Sequence, residues 1–116
     1  MSNYYIFAVL LENCSYSINA RKLLETNNIN HTVQNVSYAD KEKFKKENYD
    51  YYPQIYLKKN NSNDSLFLGG YNDLEDFINT FKNNGYNDNN IDKFNKKYYW
   101  WSKKAALRFI QLVNET

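Results

Sequence analysis

A short, almost uninterrupted apolar run from Tyr4 to Leu11 limits the possible folds more than any other part of the sequence. A run of this length is typical of a strand, and it is far too short to cross a membrane as a helix. Because the apolar residues do not alternate with polar ones, we expect both faces of this strand to be buried. The run therefore predicts an α/β domain with Tyr4–Leu11 as a central strand.

The rest of the first 82 residues alternates between strand and helix patterns. The predicted order is βαβαββα, an α/β fold with a small mixed sheet of about four strands and helices on both faces. After the first strand, the predicted elements are a helix from Ser15 or Ser17 to about Asn27, a strand His31–Val36, a helix Asp40–Tyr49 with Asp40 as its N-cap, a strand Gln54–Lys58, a strand Ser65–Leu68 and a helix within Tyr71–Phe81.

The chain divides near residue 83 in both composition and charge. Residues 1–82 carry nine basic and ten acidic side chains, whereas residues 83–116 carry six and three. The stretch 83–90 is rich in Asn and is typical of a polar linker. We therefore expect a compact domain over residues 1–82, a linker over 83–90 and a basic amphipathic helical extension over 91–116.

Composition excludes several classes of protein. A hydrophobic content of 42% supports a packed interior and argues against full disorder. A single Cys allows no internal disulfide and no Cys-rich zinc site, as expected in a reducing cytoplasm. A net charge of +2 does not by itself argue for nucleic acid. Without a long apolar run or a signal peptide, we expect a cytoplasmic protein with no membrane partner.

Cys14 is the residue best placed for chemistry, since it lies between the first predicted strand and the first predicted helix. The N–H groups and the positive dipole end at a helix start stabilise a thiolate, which is the nucleophile in disulfide exchange. A lone Cys is also often a small buried apolar side chain, so this interpretation stays open. Ser17 stands where a dithiol oxidoreductase has its second Cys. Its hydroxyl can donate to the thiolate or satisfy the backbone.

The sequence contains no second thiol to resolve a disulfide formed on Cys14. A mixed disulfide on Cys14 must then be resolved from outside the chain, and glutathione is the abundant candidate.

Two further segments lie at predicted element boundaries. The chain's only proline follows Tyr52 and precedes a strand, either as an ordinary trans residue or with a cis bond that turns the Tyr52 backbone towards a peptide-like ligand. The segment Gly69-Gly70-Tyr71-Asn72-Asp73 allows close backbone approach and is followed by a helix start suited to a carboxylate. Each segment alone is a weak indication.

Taken together, and in this order, Cys14 to Ser17, Tyr51-Tyr52-Pro53 and Gly69 to Asp73 resemble the motifs of the glutaredoxin family, which has the thioredoxin fold. The resemblance covers residues 4 to about 82. It implies a monothiol, glutathione-dependent oxidoreductase that reduces glutathionylated proteins or small disulfides. In that activity Cys14 attacks the glutathione mixed disulfide, and Tyr16 flanks the sulfur.

The resemblance also implies where glutathione binds. The backbone of Tyr52, before Pro53, pairs with the cysteinyl part of the tripeptide. The residues implied to hold the γ-glutamyl end follow the first glycine of the turn and are Gly70, Tyr71, Asn72 and Asp73.

The sequence departs from the family pattern at two positions near Cys14. Ser15 replaces the usual proline, and Leu11 replaces a lysine three residues before the Cys. The contact to the glycyl carboxylate of glutathione is then left to Lys41, Lys43 or Lys45, among which the sequence does not choose.

Two alternative functions remain open. In one, Cys14 and a glutathione thiol from each of two chains ligate a [2Fe–2S] cluster, as Cys-x-x-Ser relatives can do. In the other, the protein is a redox-silent adaptor that is recruited through its carboxyl-terminal extension.

The extension carries an apolar stripe on one predicted helix, with basic residues opposite, and this helix either packs its stripe on the domain or docks a partner. Trp100 and Leu107 fall in the middle of the basic face, where exposure brings no benefit to an isolated domain. We therefore predict a docking surface at these two residues for an acidic protein partner, in preference to nucleic acid or membrane. The residues of the stripe recur at steps of three or four and are Ile91, Phe94, Tyr98, Trp101, Ala105, Phe109 and Leu112.

Overall fold

The structure is a computed structural model that describes residues 3–44, 51–82 and 88–114. Four strands form one mixed sheet in the order β2-β1-β3-β4. The elements in chain order are β1 (Tyr4–Leu11), α1 (Ser15–Thr26), β2 (His31–Val36), a 3₁₀ helix (Tyr38–Phe44), β3 (Gln54–Lys59), β4 (Ser65–Gly69), α2 (Tyr71–Phe81), α3 (Asp88–Lys97) and α4 (Lys103–Val113).

Strand β1 lies inside the sheet, as its apolar sequence predicts. It runs parallel to β2, with Ile6 opposite His31, and antiparallel to β3, with Tyr4 opposite Lys59. Strand β4 pairs with β3 alone and forms an edge of the sheet. The predicted mixed α/β sheet of about four strands is therefore confirmed.

The main hydrophobic core lies on one face of the sheet. Alternate residues of β1, namely Ile6, Ala8 and Leu10, point to this face and pack against the helices. Helices α1, α2, α3 and α4 all contribute buried side chains to the same cluster. The helical extension and the preceding sheet domain thus share one core.

The second face of the sheet carries a smaller apolar cluster built on Val9, Val36 and Tyr56, with Phe44 packed against it. Phe44 belongs to the 3₁₀ helix, which lies where the sequence predicted an α-helix over Asp40–Tyr49. Within the described residues that prediction is wrong in type, and residues 45–49 lie outside them.

A local hydrogen-bonded turn explains this short helix. The Asp40 N–H donates to the Ser37 carbonyl at 3.0 Å, which is the i to i+3 bond of a 3₁₀ turn, and the Ser37 hydroxyl donates to the Asp40 carboxylate at 3.2 Å. Asp40 therefore lies inside the first turn and is not its N-cap.

The extension forms two helices and not the single predicted one. A break over Tyr98–Ser102 separates α3 from α4, because Ser102 has the extended backbone of an N-cap and its hydroxyl accepts from Ala105 N–H at 3.0 Å. Helix α3 begins at Asp88, inside the predicted linker 83–90, of which residues 83–87 lie outside the described part of the chain.

The apolar stripe of the extension packs onto α2. Phe77 of α2 is surrounded by the rings of Phe81, Phe94, Trp101 and Phe109, whose centroids lie between 4.0 and 6.2 Å away. Phe77, Phe81 and Phe109 are at most 1% exposed. Across the described ranges, no helix is long and apolar enough to cross a membrane.

Trp100 and Leu107 lie in different elements, Trp100 in the break and Leu107 in α4. They are 44% and 36% exposed. The Trp100 indole N–H donates to the carbonyl of Phe67 in edge strand β4 at 2.7 Å, and that of Trp101 donates to the same carbonyl at 2.9 Å. Trp100 therefore contributes to the packing of the break against the sheet, and the partner surface at Trp100 and Leu107 stays a prediction.

Candidate functional site

The turn between β1 and α1 positions Cys14. Asn13 adopts the left-handed conformation with φ 58°, which Asn tolerates better than most residues. Cys14 follows as the N-cap of α1 in extended conformation, its N–H donating to the Leu11 carbonyl at 3.3 Å and its carbonyl accepting from Ile18 N–H at 3.0 Å. The sequence prediction of Cys14 at a strand-to-helix turn is confirmed.

The sulfur of Cys14 lies at the positive end of α1. Among the residues that the structure describes, no side chain caps this helix start with a hydrogen bond. Cys14 is partly exposed and belongs to neither of the two buried clusters. A thiol that is partly exposed at the start of a helix is reachable by a disulfide.

Ser17 has a backbone role in this turn. Its side chain is 2% exposed, and its hydroxyl oxygen accepts from the Leu11 N–H at 3.0 Å. This bond ties the first turn of α1 to the end of β1. Of the two roles expected for Ser17, the backbone one is observed.

Tyr52 and Pro53 precede β3, and the peptide bond between them is cis. Pro53 is buried and Tyr52 is partly exposed. The Tyr52 hydroxyl donates to the Lys41 carbonyl at 2.6 Å, which links the start of β3 to the 3₁₀ helix.

Gly69 and Gly70 lie close to the carboxylate of Asp73. Gly69 has φ +140°, and a Cβ at this position would overlap the Asp73 carboxylate. The Gly70 N–H donates to Asp73 Oδ2 at 2.9 Å, so that Asp73 caps the start of α2. These contacts require glycine at position 69.

The second oxygen of Asp73 binds the carboxyl-terminal extension. The Tyr98 hydroxyl donates to Asp73 Oδ1 at 2.6 Å, and the Tyr98 side chain is almost fully buried. Burial raises the pKa of Tyr98, and the hydrogen bond to Asp73 raises it further. Sequence reasoning placed Tyr98 only in the apolar stripe. The available signal was that a buried Tyr usually needs a partner for its hydroxyl.

A groove of about 280 Å³ joins residues from all three sequence motifs. Tyr16 approaches Tyr71 across it, with ring centroids 6.2 Å apart. Cys14 and Ser17 are not among its lining residues, and Pro53 lies buried behind Tyr52. Tyr51, which is 70% exposed, adds a rim that sequence reasoning did not assign to the site. The lining residues are Tyr16, Tyr51, Tyr52, Gly70, Tyr71, Asn72 and Asp73.

The lysines expected near this groove have different environments. Lys43 pairs with the Asp40 carboxylate at 3.1 Å, which lowers the pKa of Asp40. The Lys41 ammonium donates to the Tyr38 hydroxyl at 3.2 Å, while its carbonyl accepts from Tyr52. Lys45 lies outside the described residues. Of the expected lysines that the structure describes, Lys41 is thus the one that is hydrogen-bonded to a groove residue, and it is bonded through its backbone carbonyl.

Glu75 is hydrogen-bonded to one tyrosine of the groove. The Tyr71 hydroxyl donates to Glu75 Oε2 at 2.8 Å, and this bond is the main reason that the pKa of Tyr71 is raised. In the described part of the chain, no three His, Cys, Asp or Glu side chains come together as a metal site.

A scan against models of known protein families and a search of curated proteins both found no match. The features that bear on function are therefore the turn that holds Cys14 and the groove that Tyr16 lines.

Proposed function

We propose that the protein is a monothiol, glutathione-dependent disulfide oxidoreductase of the glutaredoxin type, with Cys14 as its nucleophile. The observation that carries the proposal is the groove beside the start of α1. Tyr16, two residues after Cys14, lines that groove together with Tyr52 and the Gly70–Asp73 turn. Three segments that are distant in sequence thus meet at one groove, and one of them carries a partly exposed thiol two residues before Tyr16.

The sheet supports the same proposal. A central β1 that is parallel to β2 and antiparallel to β3 is compatible with a thioredoxin-like fold. In this arrangement Cys14 follows the carboxyl end of β1, and the groove residues Tyr52 and Gly70 flank the start of β3 and the end of β4. Because β3 is antiparallel to both β1 and β4, these positions lie at the same end of the sheet.

The first chemical step is attack by the Cys14 thiolate on the glutathione sulfur of a mixed disulfide. A bond forms between the two sulfurs, the substrate sulfur leaves with the electron pair of the broken disulfide, and it takes a proton from water. The attacking species in this step is the thiolate form of Cys14, since a thiolate and not a thiol is the nucleophile in disulfide exchange.

The second step restores the enzyme. The thiolate of a free glutathione attacks the glutathione sulfur bound to Cys14, oxidised glutathione leaves, and Cys14 becomes a thiolate again. Position 17 is Ser, and the sequence has no other Cys to take over this role. In the complete cycle, one glutathione mixed disulfide and one free glutathione become one substrate thiol and one oxidised glutathione.

The groove has distinct groups for the parts of glutathione. The backbone of Tyr52 pairs with the cysteinyl unit, and the first-turn N–H groups of α2, around Tyr71 and Asn72, receive the γ-glutamyl carboxylate. Asp73 faces the γ-glutamyl ammonium. Both Asp73 oxygens already accept bonds from Gly70 and Tyr98, so its orientation is fixed before glutathione arrives.

The test is turnover of a glutathionylated peptide in an assay coupled to glutathione reductase. We expect turnover by the wild type and none by Cys14→Ser, whose hydroxyl is not a nucleophile at neutral pH. Ser15→Ala is the matched control, since Ser15 is an exposed neighbour in the same turn, and it should retain activity. Activity that persists in Cys14→Ser, or a wild type without activity, would contradict the proposal.

A further inference from the structure

A second groove lies at the opposite end of the sheet from Cys14. It has a volume of about 420 Å³ and lies between the β3–β4 hairpin and α4. Its lining includes Tyr4, at the start of β1, whereas Cys14 follows the other end of that strand. Seven residue steps at about 3.3 Å place Tyr4 roughly 23 Å from Leu11, which precedes the turn that holds Cys14. Ligand binding here would be independent of the thiol.

The charges of this groove are predominantly positive. Lys59, Lys104 and Arg108 line it, and Asp64 is the one acidic residue among the described lining residues. Within the described residues, none of these three cations forms an ion pair. Lys58 also borders the groove, but its ammonium lies 4.4 Å from the ring of Phe7, on the other face of the sheet.

Helix α4 adds to the positive potential. Ser102, Lys104 and Ala105, the N-cap and first turn of this 11-residue helix, all line the groove. The positive end of the helix dipole therefore faces it. Among the described residues, three cations that form no ion pair and one carboxylate line the groove. Together with the helix dipole, they give it a positive potential that complements the two negative charges of a phosphate group.

The floor of the groove is apolar. Tyr4, Leu57, Leu66 and Ala105 line it, and the Arg108 guanidinium lies 5.9 Å from the centroid of the Tyr4 ring. The volume falls in the range of small-molecule pockets, roughly 300–1,000 Å³. An inorganic ion would leave this apolar surface unused.

We propose that this groove binds a small organic phosphate monoester, with the phosphate at Lys59, Lys104 and Arg108 and an apolar or planar body against Tyr4 and Leu66. The proposal does not depend on the activity of Cys14.

Phenyl phosphate is the probe, titrated into uniformly ¹⁵N-labelled protein at physiological ionic strength. We expect saturable shifts of the backbone amides of Ser65 and Ala105, with smaller shifts for Cys14. Inorganic phosphate and phenol each carry one half of the probe, so each should bind at least about tenfold more weakly than phenyl phosphate. Absence of saturable shifts at millimolar phenyl phosphate, or saturable shifts confined to the Cys14 groove, would overturn the proposal.

Charge-neutralising variants locate the site. Lys104→Gln and Lys59→Gln should each weaken phenyl phosphate binding about fivefold to tenfold, since each removes one charge-assisted contact. Lys22→Gln, on exposed α1, is the matched control and should bind like the wild type. Both groove lysines are exposed, so the variants should fold, and thermal melting checks this. Equal weakening by Lys22→Gln would identify non-specific attraction and contradict the proposal.

Discussion

The sheet domain and the carboxyl-terminal helices differ in composition, but they are built on one shared core. By sequence, residues 91–116 are a basic extension behind a polar linker. In the structure, α3 and α4 supply buried residues to the same core as the sheet, and Tyr98 from the break between them holds Asp73 at the candidate groove. A change in composition along a chain therefore marks a change in surface, and it does not mark the boundary of a core.

The largest expected effect follows from this shared core. Phe109→Ala should lower the free energy of unfolding by about 3–5 kcal/mol, because it removes a fully buried ring that packs on Phe77 and Trp101. Leu107→Ala on the same helix should cost about 1 kcal/mol or less, since Leu107 is 36% exposed. Urea denaturation followed by circular dichroism measures both values.

The shape of the same unfolding curve tests the comparison directly. One cooperative transition is expected for the wild type, because the helices and the sheet share a core. Two separate transitions would show that the helices unfold independently of the sheet and would contradict the account.

A smaller effect is expected at the bond between the two regions. Tyr98→Phe removes the donor to Asp73 and should cost about 1–3 kcal/mol in the free energy of unfolding. Tyr99→Phe removes the neighbouring hydroxyl from a side chain that is 82% exposed, and its cost should stay within about 0.5 kcal/mol. Equal effects of the two variants would show that the Asp73 bond does not contribute.

The same substitution should affect glutathione recognition. Without the Tyr98 hydroxyl, the Asp73 carboxylate loses one of the two hydrogen bonds that position it. The KM for a glutathionylated peptide should therefore rise several-fold, while kcat changes less. Tyr99→Phe serves again as the control. A Tyr98→Phe enzyme with unchanged KM would separate the extension from the groove.

Tyr98 also predicts a pH dependence of stability. Burial holds its pKa above the ordinary value of 10.0, so the phenol stays neutral in the folded state while it ionises in the unfolded one. The free energy of unfolding should therefore fall as the pH rises above about 10 and be independent of this group below that pH. Urea titrations should show a shallower fall for Tyr98→Phe than for the wild type, and identical slopes would contradict the assignment.

The smallest effect is expected at the exposed aromatic surface. Trp100→Phe removes one indole donor from the Phe67 carbonyl, which still accepts from Trp101. The cost should be about 0.5–1 kcal/mol, measured by thermal melting. Trp101→Phe should lower the free energy of unfolding more, because Trp101 is only 3% exposed. The reverse order would place the main anchor at Trp100.

Local patterns predicted the sheet domain well because its elements follow from local physics. The apolar run of β1 and the helix start after Cys14 depend on neighbouring residues alone, and both are confirmed. The 3₁₀ helix begins with two hydrogen bonds between Ser37 and Asp40, which periodicity does not reveal. Tyr98 reaches Asp73 across 25 positions, and no local pattern predicts a contact that the packing of α3 on α2 creates.

Intact mass after incubation with equal concentrations of oxidised glutathione or cystine tests the central claim most directly. The two disulfides offer similar sulfur chemistry, but only glutathione has the γ-glutamyl arm and the peptide backbone that the groove would bind. The account predicts that Cys14 becomes glutathionylated faster than it becomes cysteinylated, and that Asn72→Asp, which adds a negative charge at the γ-glutamyl carboxylate, reduces this preference. Modification of Cys14 at equal rates by both disulfides, or no modification by either, would contradict it.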